Sequence, residues 1–396
     1  MHDEREEGQG PWRIAFFAMG LRPFFLGAAV FAVLALALWL GALRGMVAIP
    51  PPWQPLDWHR HEMLFGLVGA IIAGFLLTAV PNWTGRRALS GAPLAALAVL
   101  WLLARLTQFV PGAPGLAIAA ALDAAFPLAL ALWAGREIRA SRNRNLPVAI
   151  LVALFAFAAL GDHARLVGLI SLADMSYRLG LALVLILISL IGGRIIPAFT
   201  RNWLTARAMG APMPAMFGIF DRLVLVVSAL ALVAWALEPA AMASAWLLIG
   251  AGVLHTLRLA RWAGWCTFAE PLLAALHLAY AWLPVGLLLM GLSILLPLLP
   301  PSAALHALTA GGIGAMTLAV MTRATLGHSG RPLHAGPGTV LIYACVHLGA
   351  LVRVLAPLWP DAFASLLAVA GLLWGGAWAM FVVIYGPMLL RPPRAA

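Results

Sequence analysis

Met63-Leu64-Phe65-Gly66-Leu67-Val68-Gly69-Ala70-Ile71-Ile72-Ala73-Gly74-Phe75-Leu76-Leu77-Thr78-Ala79-Val80 is a run of eighteen residues without a charge. A helix rises about 1.5 Å per residue, so a run of this length crosses the hydrocarbon of a bilayer. The run has no period-two alternation, which excludes a strand of a membrane barrel. Lipid offers no hydrogen bonds to the backbone, so the helix is the remaining choice. Polar residues bracket the run: His59-Arg60-His61-Glu62 before it, and Asn82-Trp83-Thr84-Gly85-Arg86-Arg87 after Pro81.

The same pattern recurs along the whole chain. Spans are expected near 24–43, 62–80, 93–110, 115–134, 147–170, 177–199, 220–237, 241–257, 271–294, 303–322, 338–358 and 363–387. Connections are short and rich in proline and glycine, as in Ile49-Pro50-Pro51-Pro52 and Pro111-Gly112-Ala113-Pro114. With 63% hydrophobic and 10% charged residues, and a mean hydropathy of +0.97, a soluble domain is excluded. The reading is an all-α polytopic membrane helix bundle of about twelve transmembrane helices, with residues 1–396 as one integral membrane domain. Residues 1–22 read as a cytoplasmic segment, acidic and then amphipathic, without a cleavable signal.

The net charge is +11, and all 25 basic side chains are arginine. They are spread over short loops and form no basic face, so no nucleic-acid partner is expected. Arginines follow the even spans: Arg86 and Arg87; Arg136, Arg139, Arg142 and Arg144; Arg201 and Arg207; Arg258 and Arg261; Arg323 and Arg331; Arg391 and Arg394. The alternate loops hold few. The positive-inside rule therefore puts both ends of the chain in the cytoplasm. Cys266 and Cys345 form no CxxC pair and no disulfide framework. Trp53, Trp58, Trp83 and Trp203 suit interfacial belts.

A faint repeat joins the ends of three spans: Thr78-Ala79-Val80-Pro81-Asn82-Trp83-Thr84, Ile196-Pro197-Ala198-Phe199-Thr200-Arg201-Asn202-Trp203 and Ala319-Val320-Met321-Thr322-Arg323. Three pseudo-repeats of four helices would produce it, and shared interfacial chemistry would too.

Ionisable side chains within a membrane mark function. By depth, His59 and His61 beside Glu62, His163 in the fifth span and His306 in the tenth all share the outer level. His255, His277, His328 and His334 lie toward the cytoplasm, and His347 near the middle. Imidazoles at one depth on several helices suit a haem or a copper ion. His59 and His61 point about 200° apart if both are helical. Either His59 sits in the loop and both reach one metal, or the two serve separate sites. Arg105, Arg165 and Arg353 lie in the outer third of their spans and each needs an anion. Asp123 and Asp162 can answer two of them. Haem propionates are the functional alternative, with Arg60 and Arg178 as further partners.

These residues are familiar in combination. Gly20-Leu21-Arg22-Pro23-Phe24-Phe25-Leu26, His59-Arg60-His61-Glu62-Met63-Leu64-Phe65-Gly66 and Gly74-Phe75-Leu76-Leu77-Thr78-Ala79-Val80-Pro81-Asn82-Trp83-Thr84-Gly85 resemble the NnrS family. So do Gly193-Arg194-Ile195-Ile196-Pro197-Ala198-Phe199-Thr200-Arg201-Asn202, Glu270-Pro271-Leu272 with Leu276-His277-Leu278-Ala279-Tyr280, His306-Ala307-Leu308-Thr309 and Leu326-Gly327-His328-Ser329-Gly330-Arg331-Pro332. The match around His163 is looser, and His347 falls in no matching block.

The resemblance implies a haem- and copper-containing protein of the bacterial inner membrane. It implies a link to nitric oxide, denitrification and protection from nitrosative stress. It puts weight on His59, His61, His163, His277, His306 and His328 as metal or haem ligands, with a b-type haem. The expected pairing is His163 with His306 at haem and His59 with His61 at copper, with Glu62 as proton donor if nitric oxide is reduced. Nitric oxide, membrane lipid and a quinol or other electron donor are the expected partners. Twelve spans with histidines on the second and tenth also look like the catalytic subunit of haem–copper oxidases, although the sixth span has no histidine.

Two other classes compete. A twelve-span secondary transporter would bind substrate at helices broken by Pro197 and Pro284. A quinol- or haem-handling electron carrier without nitric oxide chemistry would use His277 and Tyr280. A bound chromophore separates the transporter from the rest, and a spectral response to nitric oxide separates the carrier.

Overall fold

Proline opens half of the long helices, whose N-termini would otherwise leave backbone donors unmet. Pro55, Pro93, Pro147, Pro271, Pro301 and Pro337 each sit in the first two helical positions, where the missing N–H costs nothing. The computed structural model describes residues 15–169, 174–208 and 210–392. The first fourteen residues of the expected cytoplasmic segment lie outside the described residues.

Among the described residues, twelve long helices follow in order. They are α1 (Leu21–Leu43), α2 (Pro55–Thr84), α3 (Ala92–Thr107), α4 (Gly112–Ala140), α5 (Leu146–Leu166) and α6 (Met175–Ala206), then α7 (Ile219–Leu237), α8 (Met242–Ala260), α9 (Pro271–Leu295), α10 (Pro301–His328), α11 (Pro337–Leu355) and α12 (Phe363–Leu390). Eleven are long and apolar enough to cross a membrane, and α3 is the shorter twelfth. Each coincides with one expected span. The molecule is a polytopic helical bundle.

Sequence neighbours pack against one another around the molecule, and α1 packs on α12 to close the ring. Three spans are more enclosed than the rest: α2, α6 and α10, with 72%, 56% and 67% of their apolar windows buried. These are the spans whose ends carry the repeated sequences. Side chains at their core are small or planar: Ala70 and Ala73 in α2, Ala182 in α6, Ala315 and Ala319 in α10, with Phe65 and Phe155 meeting nearby.

Two of the inner helices share a further feature. In α2, a short α-helical turn (Pro55–His61) passes into a π-helical stretch (Glu62–Val68) before α-geometry resumes at Gly69. In α10, Pro301–His306 passes into a π-stretch (Ala307–Ile313) that ends at Gly314. In both, a histidine is the last residue before the π-stretch. Widened turns of this kind occur mostly at functional sites. The helix α6 lacks the feature, so the three-fold resemblance is closest between α2 and α10. Pro197 and Pro284 lie inside continuous helices, so the breaks a transporter reading expects there are absent among the described residues.

With each helix crossing in turn, the arginine-bearing loops fall at one end of the bundle and the histidine-bearing turns of α2 and α10 at the other. Arg258 departs from the expected loop position. It is fully buried and paired with Asp221 at 2.7 Å, so its charge is held inside the bundle.

Candidate functional site

The α-helical turn that opens α2 presents His59 and His61, two residues apart, to opposite sides. His61 and Glu62 turn toward α3, α4 and α5, where His61 is completely buried and Glu62 is 1% exposed. His61 Nδ1 lies 2.9 Å from Asp162 Oδ2, and its Nε2 lies 3.0 Å from Asp123 Oδ2. His163 Nε2 reaches the same Asp123 oxygen at 2.8 Å. Gln108 Nε2 donates to it at 2.5 Å. Arg105 bridges Asp123 to Glu62, with 2.7 Å to Glu62 Oε1. Trp53 folds in from the preceding loop, 3% exposed, with its ring 4.9 Å from His61 and 5.5 Å from His163.

This cluster suits a metal ion. The two imidazole nitrogens and the Asp123 oxygen lie within 4.8 Å of one another, all buried. An N₂O donor set fits copper or zinc, whose bonds to nitrogen and oxygen run to about 2.0–2.2 Å. Asp162 holds the far nitrogen of His61, the usual carboxylate support for a ligating imidazole. His163 Nδ1 is buried without a partner. Three carboxylates meet here, and Arg105 is the one cation nine-tenths buried among them. The outer rim adds Arg165, shared among Asp162, Asp57 and Asp174, and Arg60, shared between Asp57 and Asp174.

His59 turns the other way. Its ring stacks on Trp39 at 3.9 Å and faces a cavity of about 440 Å³ between α1, α2, α10, α11 and α12. His306, from the start of α10, lines the same cavity. Its Nδ1 donates to Ser302 O at 2.7 Å, which leaves Nε2 free. The walls are apolar, with Met63, Leu67, Trp374 and Trp378 among them. Two cations reach the rim. Arg60 is committed to carboxylates, but Arg353 Nε and Nη1 are buried without partners. Facing imidazoles, apolar walls and an unanswered guanidinium suit a planar amphiphile with acidic arms. The volume lies in the range of ligand pockets, about 300–1,000 Å³.

The structure therefore pairs the histidines differently from the sequence expectation. His61 joins His163, and His59 joins His306. His163 with His306 and His59 with His61 are not brought together, because the α2 turn directs its two imidazoles apart. Of the expected propionate partners, Arg105 and Arg165 are answered by carboxylates, as the ion-pair alternative holds. Arg178 donates to Ala236 O at 3.0 Å. Trp53 and Trp58 are buried and are not belt residues.

The remaining histidines lie elsewhere. His277 is bonded to Thr200 Oγ1 at 2.9 Å near the arginine-rich end. His328 lines a second cavity at that end. His347 accepts from Trp282 Nε1 at 2.9 Å. A buried network that the sequence reading left unassigned joins His255, Tyr280, Ser228 and Arg258. His255 Nδ1 meets Tyr280 Oη at 2.9 Å, and Arg258 Nη1 donates to that same oxygen at 3.0 Å. The signal available was the fully apolar setting of His255 and Arg258 on one face of α8.

Comparison with curated proteins and with solved structures gives no match. The pattern described as "NnrS protein" matches residues 15–393, from the start of the described residues to within a few residues of the end. By that match over nearly its whole length, the chain belongs to the NnrS family.

Proposed function

We propose that this chain is a haem- and copper-containing membrane protein that binds nitric oxide, with haem between His59 and His306 and copper at His61, His163 and Asp123. The observation that supports this reading is the divergence of His59 and His61, which serves two adjacent sites from one turn of one helix. When bound, a haem held by one of these two imidazoles would leave iron a position for nitric oxide, and copper would supply a one-electron redox partner.

The chain's own residues set the conditions. Nitric oxide is small and apolar, so it enters through lipid and the apolar wall of the cavity without a polar channel. Ser302 fixes the tautomer of His306 by accepting from Nδ1, so that Nε2 faces the cavity. Arg353, whose Nε and Nη1 are buried without partners, would receive an acidic arm at the rim. Asp162 orients His61, and Arg105 bridges the Asp123 and Glu62 carboxylates. Glu62 Oε2 is a carboxylate oxygen of this cluster that is buried without a partner. It is the group that takes up and releases a proton if nitric oxide is reduced. The arginine-rich end faces the cytoplasm of a bacterial inner membrane, which puts both sites near the periplasmic side.

The test is the absorption spectrum of the detergent-purified protein, reduced, before and after nitric oxide, with iron and copper counted on the same sample. A Soret band that shifts with nitric oxide, alongside copper, supports the reading. A colourless protein with neither metal, after expression with ample haem and copper, overturns it.

A further inference from the structure

The three repeated span ends meet at a place the proposed function does not use. Asn82 and Trp83 from α2, Arg194 and Phe199 from α6 and Arg323 from α10 line one cavity of about 490 Å³ at the arginine-rich end, together with Arg144. Its walls run from polar at the mouth to apolar within, where Phe25, Ile191 and Val320 close it.

Two of the three guanidiniums are held in place. Arg194 Nη1 donates to Asn145 Oδ1 at 2.7 Å, and its plane lies 5.1 Å from the Phe217 ring. Arg323 lies 4.3 Å over Phe199. Arg144, Arg194 and Arg323 have no carboxylate partner among the described residues, in contrast to Arg86 on Glu137 and Arg258 on Asp221. Three cations line this cavity, none in contact with a carboxylate among the described residues; Glu270 is the acid that acts on Arg323 from a distance. Arginine is the side chain best shaped for bidentate contact with phosphate, and basic pockets between helices on the cytoplasmic side suit phospholipid heads. The apolar interior suits acyl chain and does not suit a free anion.

We propose that this cavity binds an anionic phospholipid of the arginine-rich leaflet, its phosphate among Arg144, Arg194 and Arg323 and an acyl chain between α2, α6 and α10. The lipid then pins the ends of the three inner helices, opposite the two candidate metal sites.

Native mass spectrometry of the full-length protein tests this, with phosphatidylglycerol and phosphatidylcholine of the same acyl chains as probes. Phosphatidylglycerol should bind at least about tenfold more tightly. The preference should vanish in the Arg194→Gln/Arg323→Gln double variant and survive in Arg87→Gln, a loop arginine outside the cavity. Ala324→Phe keeps every arginine and fills part of the cavity, so it should also lose the preference. Equal binding of the two lipids overturns the proposal, as does a preference that survives both cavity variants. Displacement of either lipid by millimolar inorganic phosphate, without a preference between them, assigns the arginines to a free anion and overturns the lipid.

Discussion

His59 and His61, two residues apart in α2, serve opposite sides of the same helix. His59 stacks on Trp39 beside the cavity that holds His306, and His61 sits between Asp123 and Asp162. The π-helical stretch that begins at Glu62 follows directly, and its extra residue per turn resets the face that α2 shows to its neighbours.

The glycines of that stretch and of the turn after it differ in what they permit. A Cβ at Gly66 would lie 2.6 Å from Arg105 Nη1 and 2.8 Å from Glu62 Oε2, whereas one at Gly69 would meet nothing closer than 3.8 Å. Gly66→Ala should therefore push the buried ion pair apart and cost about 1–3 kcal/mol, and Gly69→Ala should be near neutral. Thermal unfolding in detergent, measured side by side, checks the contrast. Equal effects would count against the packing described.

Arg105 is the buried cation of a site rich in carboxylates. Arg105→Met should leave Asp123 and Glu62 uncompensated and destabilise by about 3–5 kcal/mol. Arg105→Lys should recover part of this but lose the bridge, because an ammonium cannot span both carboxylates as a fork. Chemical denaturation of the two variants gives the order, and an order reversed would contradict the bridge.

At the outer rim, the Arg60 hydrogen bond holds the Asp174 carboxyl below its ordinary value of 3.8. A depressed acid stabilises the fold above its unfolded pKa, and that contribution is lost as pH falls through the lower folded value. Asp174→Asn should thus weaken the protein slightly at pH 7, and the difference from the parent should vanish as the pH falls through the lowered folded value. The carboxylate is 40% exposed, so solvent screening keeps the effect well under ~1 kcal/mol. Unfolding midpoints across the pH range check the sign.

Tyr280 receives a hydrogen bond from Arg258 and donates to His255 in a region remote from both candidate metal sites. Tyr280→Phe should cost about 1–3 kcal/mol by leaving buried groups unmet. Haem and copper content should stay at the parental level in that variant, and also in His277→Ala and His328→Ala. Loss of either metal on changing His277 or His328 would place a metal at the arginine-rich end.

The spans were legible because hydropathy over about twenty residues is a physical requirement of lipid. Each of the twelve expected spans has its helix, though His328 and Thr84 extend theirs beyond the apolar run. Depth was legible as well: a fixed rise per residue put His59, His61, His163 and His306 at one level. Azimuth was not. Helical spacing offered the divergence of His59 and His61 as one alternative, but which neighbouring helix each imidazole meets depends on tertiary packing. Trp53 looked like a belt residue because its burial depends on how the α1–α2 loop folds over His61. Asp123 and Asp162 were legible as answers to arginine, but their convergence on two histidines from separate helices is a tertiary fact.

The most direct test of two separate sites is iron and copper content in His306→Ala and His163→Ala, purified under identical conditions after both prove folded. The account predicts that His306→Ala loses haem and keeps copper, and that His163→Ala loses copper and keeps haem. Joint loss of both metals in either folded variant, or loss of haem in His163→Ala alone, would contradict it.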